Sequence, residues 1–402
     1  MRGGIWGARL AALGLVSLLT GCTGLDFSGL SFPEFPDPRR PQADLGQPIG
    51  TMPASGRTIG QGPVRVALLV PLSGELADVG QSIANGAELA VAFIAANPNI
   101  ADNVTILVKD TGGSPEMAAQ QARAAIAEGA RLILGPVRAN EVTAVAGVAQ
   151  SARLTVVAFS NTTGVASPGV YLMNVLPETE VRRALAYVAG KGKTKPAALV
   201  PNTDLGRAQE GGFRLAASAL GLAPQGLYRF SNSSEASAMA ARLADDIKAG
   251  AVDTVFMPDR ASAPQLAQQL ETLGVRRGSV TIIGASDWAD DAAILGTPWL
   301  SGALFAGLDP SGYRTLSAEY ATRYGGRPHP LATMAYTATI LANASTLALA
   351  TPPYPAAVLT TPGGFNGRDG VFRLLPNGQS EHALAIRQIG AGGASVVDAA
   401  RL

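Results

Sequence analysis

The chain becomes strongly apolar at Val64-Arg65-Val66-Ala67-Leu68-Leu69-Val70, a stretch that holds a single charged side chain. An almost continuous apolar run of this length is typical of a strand buried on both faces of a sheet. Further short apolar runs follow, separated by longer amphipathic stretches. They predict strands over residues 64–70, 104–108, 131–134 and 154–159, and helices over residues 82–95, 115–128 and 141–151. Strands that alternate with helices in this way form a parallel sheet with helices on both faces.

A second series of the same kind follows the first. Its predicted strands cover residues 197–200, 226–230, 254–257 and 280–283, and its predicted helices cover residues 205–219, 234–248 and 264–273. The two series and their extensions span about 340 residues, more than one hydrophobic core usually holds. The sequence therefore predicts an α/β protein with two doubly wound parallel-sheet lobes. Ligands of such sheets bind beyond the carboxyl ends of the strands, so a site is expected in the loops there, between the lobes.

The start of the chain has the features of an export signal. Arg2 and Arg9 precede the uncharged stretch 10–19, which ends in Leu19-Thr20-Gly21-Cys22. A basic start, an apolar middle and a small-residue end characterise a secretory signal peptide, whereas a membrane-spanning helix needs roughly 20 apolar residues. A signal peptide is therefore predicted over residues 1–21. Its end resembles the lipobox of bacterial lipoproteins, which implies that the Cys22 thiol is acylated and that lipid tethers the mature protein to a membrane.

A Pro-rich linker is predicted over residues 22–62, directly behind this anchor. Prolines interrupt the segment at positions 33, 36, 38, 41, 48 and 53, and apolar periodicity is weak. Such a segment cannot bury enough apolar surface to offset its ordering entropy, so we expect it to be disordered or extended. At about 3 Å per residue, a polyproline-like linker of this length reaches on the order of 100 Å.

Composition excludes several classes of function. Lys and Arg total 31 against 30 Asp and Glu, so nothing indicates a nucleic-acid partner. Cys22 is the only cysteine, which leaves no disulfide, cysteine-based zinc site or thiol nucleophile in the mature fold. Of the two histidines, His329 lies between prolines and His382 in a predicted strand, and neither is visibly part of a triad. We expect no catalytic residues, no metal and no cofactor, and therefore no enzyme.

Several motifs, in order, resemble the leucine/isoleucine/valine-binding family, the type 1 periplasmic binding proteins. The motifs are Val66-Ala67-Leu68-Leu69-Val70-Pro71-Leu72-Ser73-Gly74, Gly80-Gln81, Asn85-Gly86-Ala87-Glu88-Leu89-Ala90, Asp110-Thr111, Leu134-Gly135-Pro136-Val137 and Val156-Val157-Ala158-Phe159-Ser160-Asn161-Thr162-Thr163. The resemblance covers most of residues 63–390. It implies a three-strand hinge, with the chain crossing between lobes near Leu176-Pro177, near 307–310 and after a helix over residues 331–349. The lobes of such proteins close on a ligand by rotating about the hinge.

This resemblance also implies the extent of each lobe. Lobe 1 comprises residues 63–176 and 308–358, and lobe 2 comprises residues 177–307 and 359–392. Near the end of the chain, residues 370–374 and 382–389 flank Pro376-Asn377-Gly378 and predict a hairpin, added to the edge of lobe 2.

The candidate ligand-binding residues lie in the strand-to-helix loops of both lobes. A helix that starts after Ala139-Asn140 presents unpaired N–H groups, which suit a carboxylate. In the amino-acid-binding relatives, this loop and the next one hold the ligand's carboxylate and amine. The candidates are Ser73, Ala139, Asn140, Ser160, Asn161, Thr162 and Thr163 in lobe 1, and Asp259, Arg260, Asp287 and Trp288 in lobe 2. Alternatively, Asn140 caps its helix, Ser160 and Thr162 satisfy their own loop, Asp259 and Arg260 form a surface pair, and Trp288 packs in the core.

Two positions depart from the pattern of the amino-acid-binding relatives. Ala139 stands where those proteins have a serine, and Ser286, next to Asp287, falls where they have the acid that binds the amine. We therefore expect an amino-acid-like or peptidoglycan-derived ligand other than a branched-chain amino acid, or no ligand at all.

The lipobox, the linker and the motifs Gly367-Arg368-Asp369-Gly370 and Asn377-Gly378 resemble those of lipoproteins that activate penicillin-binding proteins. The resemblance implies a non-catalytic activator of peptidoglycan synthesis with a penicillin-binding protein as partner, although the extra helical-repeat domain of well-known members has no counterpart here. The alternative is a substrate-binding lipoprotein of an ABC transporter for amino acids or similar solutes, with a permease as partner. In either role the protein is periplasmic and lipid-anchored. Thr23 favours the outer membrane, since Asp after the lipidated cysteine commonly retains lipoproteins in the inner one.

Overall fold

The computed structural model describes residues 55–402. The predicted signal peptide, Cys22 and the predicted linker as far as residue 54 lie outside the described residues.

The first part of lobe 1 alternates strands and helices. Its elements are β1 (Ser55–Ile59), β2 (Val64–Val70), α1 (Ala77–Ala96), β3 (Val104–Asp110), α2 (Pro115–Ala127), β4 (Leu132–Leu134), α3 (Ala139–Ala152), β5 (Thr155–Ala158) and β6 (Val170–Leu172), with a short 3-10 turn at Thr163–Val165. The sheet has the order β1-β3-β2-β4-β5-β6. All neighbours are parallel except β1 and β3.

Strand β1 corrects the predicted end of the linker, because residues 55–59 are part of the sheet. Thr58 pairs with Leu107 of β3 in an antiparallel register, and Arg57 forms an ion pair with Glu88 of α1. β1 has no apolar run and is held by backbone pairing to the otherwise open edge of β3. Covering an open edge in this way also prevents it from pairing with another chain.

Lobe 2 repeats the alternation. Its elements are α4 (Pro177–Ala189), β7 (Pro196–Pro201), α5 (Asp204–Ala219), β8 (Gly226–Phe230), α6 (Ser233–Lys248), β9 (Thr254–Phe256), α7 (Ala263–Thr272), β10 (Thr281–Ile283), α8 (Ala292–Leu295) and β11 (Leu304–Gly307), with 3-10 turns at Ser286–Trp288 and Pro298–Leu300. β11, β10, β9, β7 and β8 are parallel neighbours. The prediction of two doubly wound parallel-sheet lobes is confirmed.

The chain then returns to lobe 1 before it ends in lobe 2. The returning elements are α9 (Pro310–Tyr324), α10 (Leu331–Asn343), α11 (Ser345–Ala348), α12 (Ala356–Leu359), β12 (Phe365–Gly367), β13 (Gly370–Leu374) and β14 (Ser380–His382). The last two strands, β15 (Leu384–Gly390) and β16 (Gly393–Arg401), add antiparallel neighbours to β11.

A C-terminal hairpin forms, but its second strand is Ser380–His382 and not the predicted 382–389, most of which is β15 of lobe 2. The hairpin itself packs on lobe 1 rather than extending lobe 2. β13 pairs with β14 around Asn377-Gly378, and β12 completes a separate three-stranded sheet. Phe372 and Leu374 are buried in the core of lobe 1, and the N–H of Leu172 in β6 donates to the carbonyl of Gly378 at 2.8 Å. The third crossing therefore lies between β14 and β15, and not directly after α10.

Two helices of lobe 1 cross at unusually close range. A Cβ added to Gly86 of α1 would lie 2.3 Å from the carbonyl oxygen of Ala332 in α10, so only glycine fits there. Among the described residues, α1 is one helix that is long and apolar enough to cross a membrane, but 61% of its apolar window is buried in the fold. Packing within lobe 1 explains its apolar character.

Helices cover both faces of each parallel sheet. In lobe 1, α1 and α10 bury one face of the sheet, and α2 and α3 bury the other. In lobe 2, α6 and α7 cover one face, and α4 and α5 cover the other. Each lobe therefore has a hydrophobic core on both faces of its sheet.

Candidate functional site

The junction of the two lobes encloses a cavity of about 590 Å³. Its walls come from both lobes and from two of the crossings. They include Asn161 and Asp369 of lobe 1, Leu308 and Asp309 of the second crossing, and Glu180 and Arg387 of lobe 2. Concave sites for small molecules typically measure about 300–1,000 Å³. This cavity is therefore the candidate ligand site.

The chain's own side chains already occupy part of the predicted carboxylate seat at the start of α3. Glu141 is fully buried, and its Oε2 accepts the N–H of Arg138 at 3.4 Å while its Oε1 accepts the hydroxyl of Thr111 at 3.3 Å. The N–H of Glu141 in turn donates to Oδ1 of Asn140 at 2.9 Å. Burial raises the pKa of Glu141. Sequence reasoning missed this residue, although an acid in the first helical turn is a known capping signal.

In the next loop of lobe 1, most polar residues form hydrogen bonds within the protein and one lines the cavity. Ser160 is buried and its Oγ accepts the N–H of Thr162 at 3.2 Å. Thr163 donates its hydroxyl to Glu178 of α4 at 2.8 Å and so joins the two lobes. Asn161 is exposed and lines the cavity. None of the other predicted candidates among the described residues lines it.

Ser73 and Ala139 are not among the residues that line the cavity. Ser73 is exposed, and its N–H donates to Oδ1 of Asp110 at 3.2 Å. Asp110 also accepts the N–H of Leu72 at 2.7 Å and of Gly112 at 2.8 Å, so it holds the first loop in place.

In lobe 2, two predicted ligand residues have structural roles. Trp288 is completely buried and its Nε1–H donates to the carbonyl of Pro258 at 3.1 Å, so it packs in the core instead of lining a pocket. Asp259 accepts the N–H of Ser262 at 2.9 Å and its hydroxyl at 2.5 Å, which closes its own loop.

Arg260 does not pair with its neighbour Asp259. Its guanidinium lies 3.7 Å from Asp287 and 3.5 Å from Asp291, with Arg260 and Asp287 both more than half exposed. Exposed ion pairs of this kind contribute about 0–1 kcal/mol to stability. Burial raises the pKa of Asp287, and Arg260 opposes that rise.

Glu180 is a cavity residue that sequence reasoning missed. It lies in the first turn of α4, its Oε1 accepts the hydroxyl of Ser286 at 2.5 Å, and its Oε2 accepts the Ser286 N–H at 3.3 Å. Burial, with a smaller contribution from Asp287, raises the pKa of Glu180 to about 7. Ser286 falls where the resemblance to the amino-acid-binding relatives implies an acid. Here Glu180 of α4 brings a carboxyl group to Ser286 instead.

The two lobes also meet at the rim of the cavity. Arg327, between α9 and α10, lies 3.6 Å from Asp290 of lobe 2, and both side chains are largely exposed. Tyr313 of α9 donates its hydroxyl to the carbonyl of Pro328 at 2.7 Å, which fixes the segment that carries Arg327. Within residues 55–402 no cluster of His, Cys, Asp or Glu could hold a metal ion.

Comparison with known proteins agrees with this geometry. The family described as periplasmic binding protein matches residues 63–394. No curated protein matches the chain significantly. A solved structure from Rhodospirillum rubrum, provisionally assigned to branched-chain amino acid ABC transport, is similar with a TM-score of 0.72 and 20% identity, covering 83% of this chain and 99% of that one.

Two further solved structures were obtained with ligands. An ABC transporter substrate-binding protein from Desulfitobacterium hafniense, in complex with Leu, has a TM-score of 0.62 and 18% identity, covering 83% of this chain and 99% of that chain. A solute-binding protein from Rhodopseudomonas palustris, in complex with 3,4-dihydroxybenzoic acid, has a TM-score of 0.59 and 18% identity, covering 84% and 97%. These likenesses establish the shared fold. From the family match over most of its length, the chain belongs to the periplasmic binding protein family, of the leucine/isoleucine/valine-binding type.

Proposed function

We propose that this protein is the substrate-binding component of an ABC transporter, which captures a small solute between its lobes and delivers it to a permease. The observation that carries the proposal is the cavity of about 590 Å³, whose walls come from both lobes and from the crossings between them. A ligand there contacts both lobes at once. The ligand therefore stabilises the closed arrangement of the lobes to the extent that it binds that arrangement more tightly than the open one.

The proposed ligand is a small polar solute. The described lining combines acidic groups such as Glu180 and Asp369, basic groups such as Arg387, and apolar walls such as Leu308 and Met334. This mixture suits an organic molecule with charged ends and a short carbon skeleton. The departures at Ala139 and Ser286, and the engagement of Glu141 at the start of α3, argue against the usual branched-chain amino acids.

The protein is a member of a periplasmic family, and we further propose that lipid anchors it through Cys22. The lipobox Leu19-Thr20-Gly21-Cys22 and the following Pro-rich stretch support the anchor, and Thr23 supports the outer membrane. Metabolic labelling with a radioactive fatty acid should mark the wild-type protein and not Cys22→Ala. Equal labelling of both proteins would contradict the anchor.

Ligand binding tests the proposed function directly. The mature domain is screened by thermal unfolding against individual amino acids, hydroxy acids, aromatic acids and wall-derived peptides. A true ligand should raise the unfolding temperature with concentration, since binding stabilises the folded state by RT ln(1 + [L]/Kd). Calorimetry should give one site, and small-angle scattering should show a smaller radius of gyration when it is filled. Absence of any binding at millimolar solute would overturn the proposal.

A second candidate function is activation of a penicillin-binding protein. The lipobox and the six prolines of the predicted linker favour it, because a tethered domain on a long spacer can reach a partner within the cell wall. In this role the purified domain should accelerate glycan polymerisation or crosslinking by its partner synthase. A transport role predicts no such acceleration and a growth defect on one solute when the gene is deleted.

A further inference from the structure

One face of α9 forms a wall of the cavity. Pro310, Tyr313, Arg314 and Ser317 all line it, at the three- and four-residue spacing that places side chains on one side of a helix. Beside them on α9, Leu316 packs in lobe 1. The cavity-facing residues are thus held on a rigid, well-packed element.

Three buried polar atoms of residues that line the cavity, two from lobe 1 and one from lobe 2, have no hydrogen-bond partner within the described chain. They are Oδ2 of Asp369, Oγ of Ser317 and Nε of Arg387. Asp369 is only 7% exposed, and all three residues line the cavity. Buried polar atoms are nearly always paired in native proteins, so three orphans around one cavity indicate a partner that the chain itself does not supply.

The three atoms differ in chemistry. Asp369 offers an acceptor, and burial raises its pKa to about 6, with Thr333 and Arg368 opposing the rise. Arg387 offers a donor. Its guanidinium lies over the ring of Phe305, 5.2 Å from the centroid, and Nη2 donates to the carbonyl of Ala394 at 3.3 Å, so its position is fixed. Ser317 can donate or accept.

We propose that Asp369, Ser317 and Arg387 form the recognition wall for a solute that carries both a hydrogen-bond donor, of ammonium or hydroxyl type, and a carboxylate. The donor meets Asp369 and Ser317, and the carboxylate meets the guanidinium of Arg387. None of these three residues belongs to the strand-end loops that hold the predicted candidates. The inference rests on the proposed function and specifies the ligand class of the same cavity.

The first experiment uses amino acids and hydroxy acids as individual calorimetric probes of the mature protein. The best binder is then compared with its analogue lacking the amine or hydroxyl and with its carboxamide. Asp369→Asn should weaken the parent solute roughly tenfold or more, but should barely change the affinity for the analogue without the donor. Arg387→Gln should weaken the parent solute similarly and leave the carboxamide unaffected. Asp245→Asn, on the exposed surface of α6, is the control for removal of one charge.

Ser317→Ala gives a second readout that does not depend on the charged variants folding. A hydroxyl that is buried without a partner disfavours the empty folded state, so its removal should leave the unfolding temperature unchanged or raise it while lowering affinity for the probe. A merely structural serine would lose stability instead.

The outcomes separate this inference from the proposed function. If a solute binds the wild type but all three variants bind it equally well, the recognition wall is wrong and the substrate-binding function stands. If no amino acid or hydroxy acid binds, while another solute class does, the ligand class is wrong. If no solute binds at all, both proposals fall.

Discussion

Replacing Glu180 with glutamine should stabilise the protein in a strongly pH-dependent way. Glu180 is half-buried at the cavity wall, and desolvation of its carboxyl raises the pKa from 4.5 to about 7. The folded state therefore holds this proton more tightly than the unfolded state does, and the ionised form becomes a penalty as the pH rises through this range. A difference from 4.5 to about 7 corresponds to about 3 kcal/mol at full ionisation.

Glutamine imitates the protonated carboxyl without perturbing its partner. Its amide oxygen can accept the N–H of Ser286, and its amide N–H can donate to the Ser286 hydroxyl. Near pH 4.5 the variant and the wild type should have similar free energies of unfolding. Near pH 8.5 Glu180→Gln should exceed the wild type by up to about 3 kcal/mol.

Urea unfolding at a series of pH values between 4.5 and 8.5 measures this difference. Trp288 and Trp299 are both buried in lobe 2, so their fluorescence reports unfolding of the lobe that contains Glu180. Glu271→Gln, at an exposed position of α7, is the comparison for loss of one negative charge. A difference between Glu180→Gln and wild type that is the same at every pH would refute the reasoning, as would destabilisation near pH 8.5.

Three further substitutions test other parts of the structure. Trp288→Phe removes the hydrogen bond to Pro258 and should lower the free energy of unfolding by about 1–3 kcal/mol in urea, with ligand affinity unchanged by calorimetry; a loss of affinity would restore Trp288 to the site. Gly86→Ala places a Cβ 2.3 Å from the carbonyl oxygen of Ala332 and should cost about 1–3 kcal/mol, seen as a lower melting temperature in calorimetry; an unchanged melting temperature would contradict the close crossing of α1 and α10. Arg327→Ala should change stability by less than about 1 kcal/mol but should increase the radius of gyration of the unliganded protein in scattering. An unchanged radius would show that the Arg327–Asp290 pair does not hold the lobes together.

Sequence patterns predicted the parts of the fold whose signal is local. Strands β2 and β8 form over the predicted residues 64–70 and 226–230. β2 reads as a continuous apolar run because both of its faces are buried, so the sequence alone carries the information.

The errors in the fold concern pairing at a distance. β1 is polar and becomes a strand only because the edge of β3 is available to it. The first strand and the turn of the β13–β14 hairpin are visible in the sequence. The lobe on which the hairpin packs depends on Phe372 and Leu374 reaching the core of lobe 1. The residues of β1 do not themselves indicate that it pairs with β3, and those of the hairpin do not indicate which lobe it packs on.

The same limit applies to the candidate site. Position in a strand-end loop identified Asn161, which lines the cavity. Side-chain type could not distinguish it from Asp259 and Trp288, whose hydrogen bonds stay within lobe 2. Glu180 and Ser286 are 106 positions apart and meet only because α4 enters lobe 2 directly after the first crossing. Asp369 reaches the cavity from the turn between β12 and β13, which is not a strand-end loop of the doubly wound sheets.

The described chain begins on one lobe and finishes on the other, since β1 pairs with β3 while β16 pairs with β15. Fluorescent dyes placed on the exposed Thr58 and Val397 would therefore report the distance between lobes by energy transfer, without a label near the cavity. A mechanical consequence follows as well. Because β1 belongs to lobe 1, the anchor that we propose at Cys22 would join the folded protein through lobe 1 and not through lobe 2.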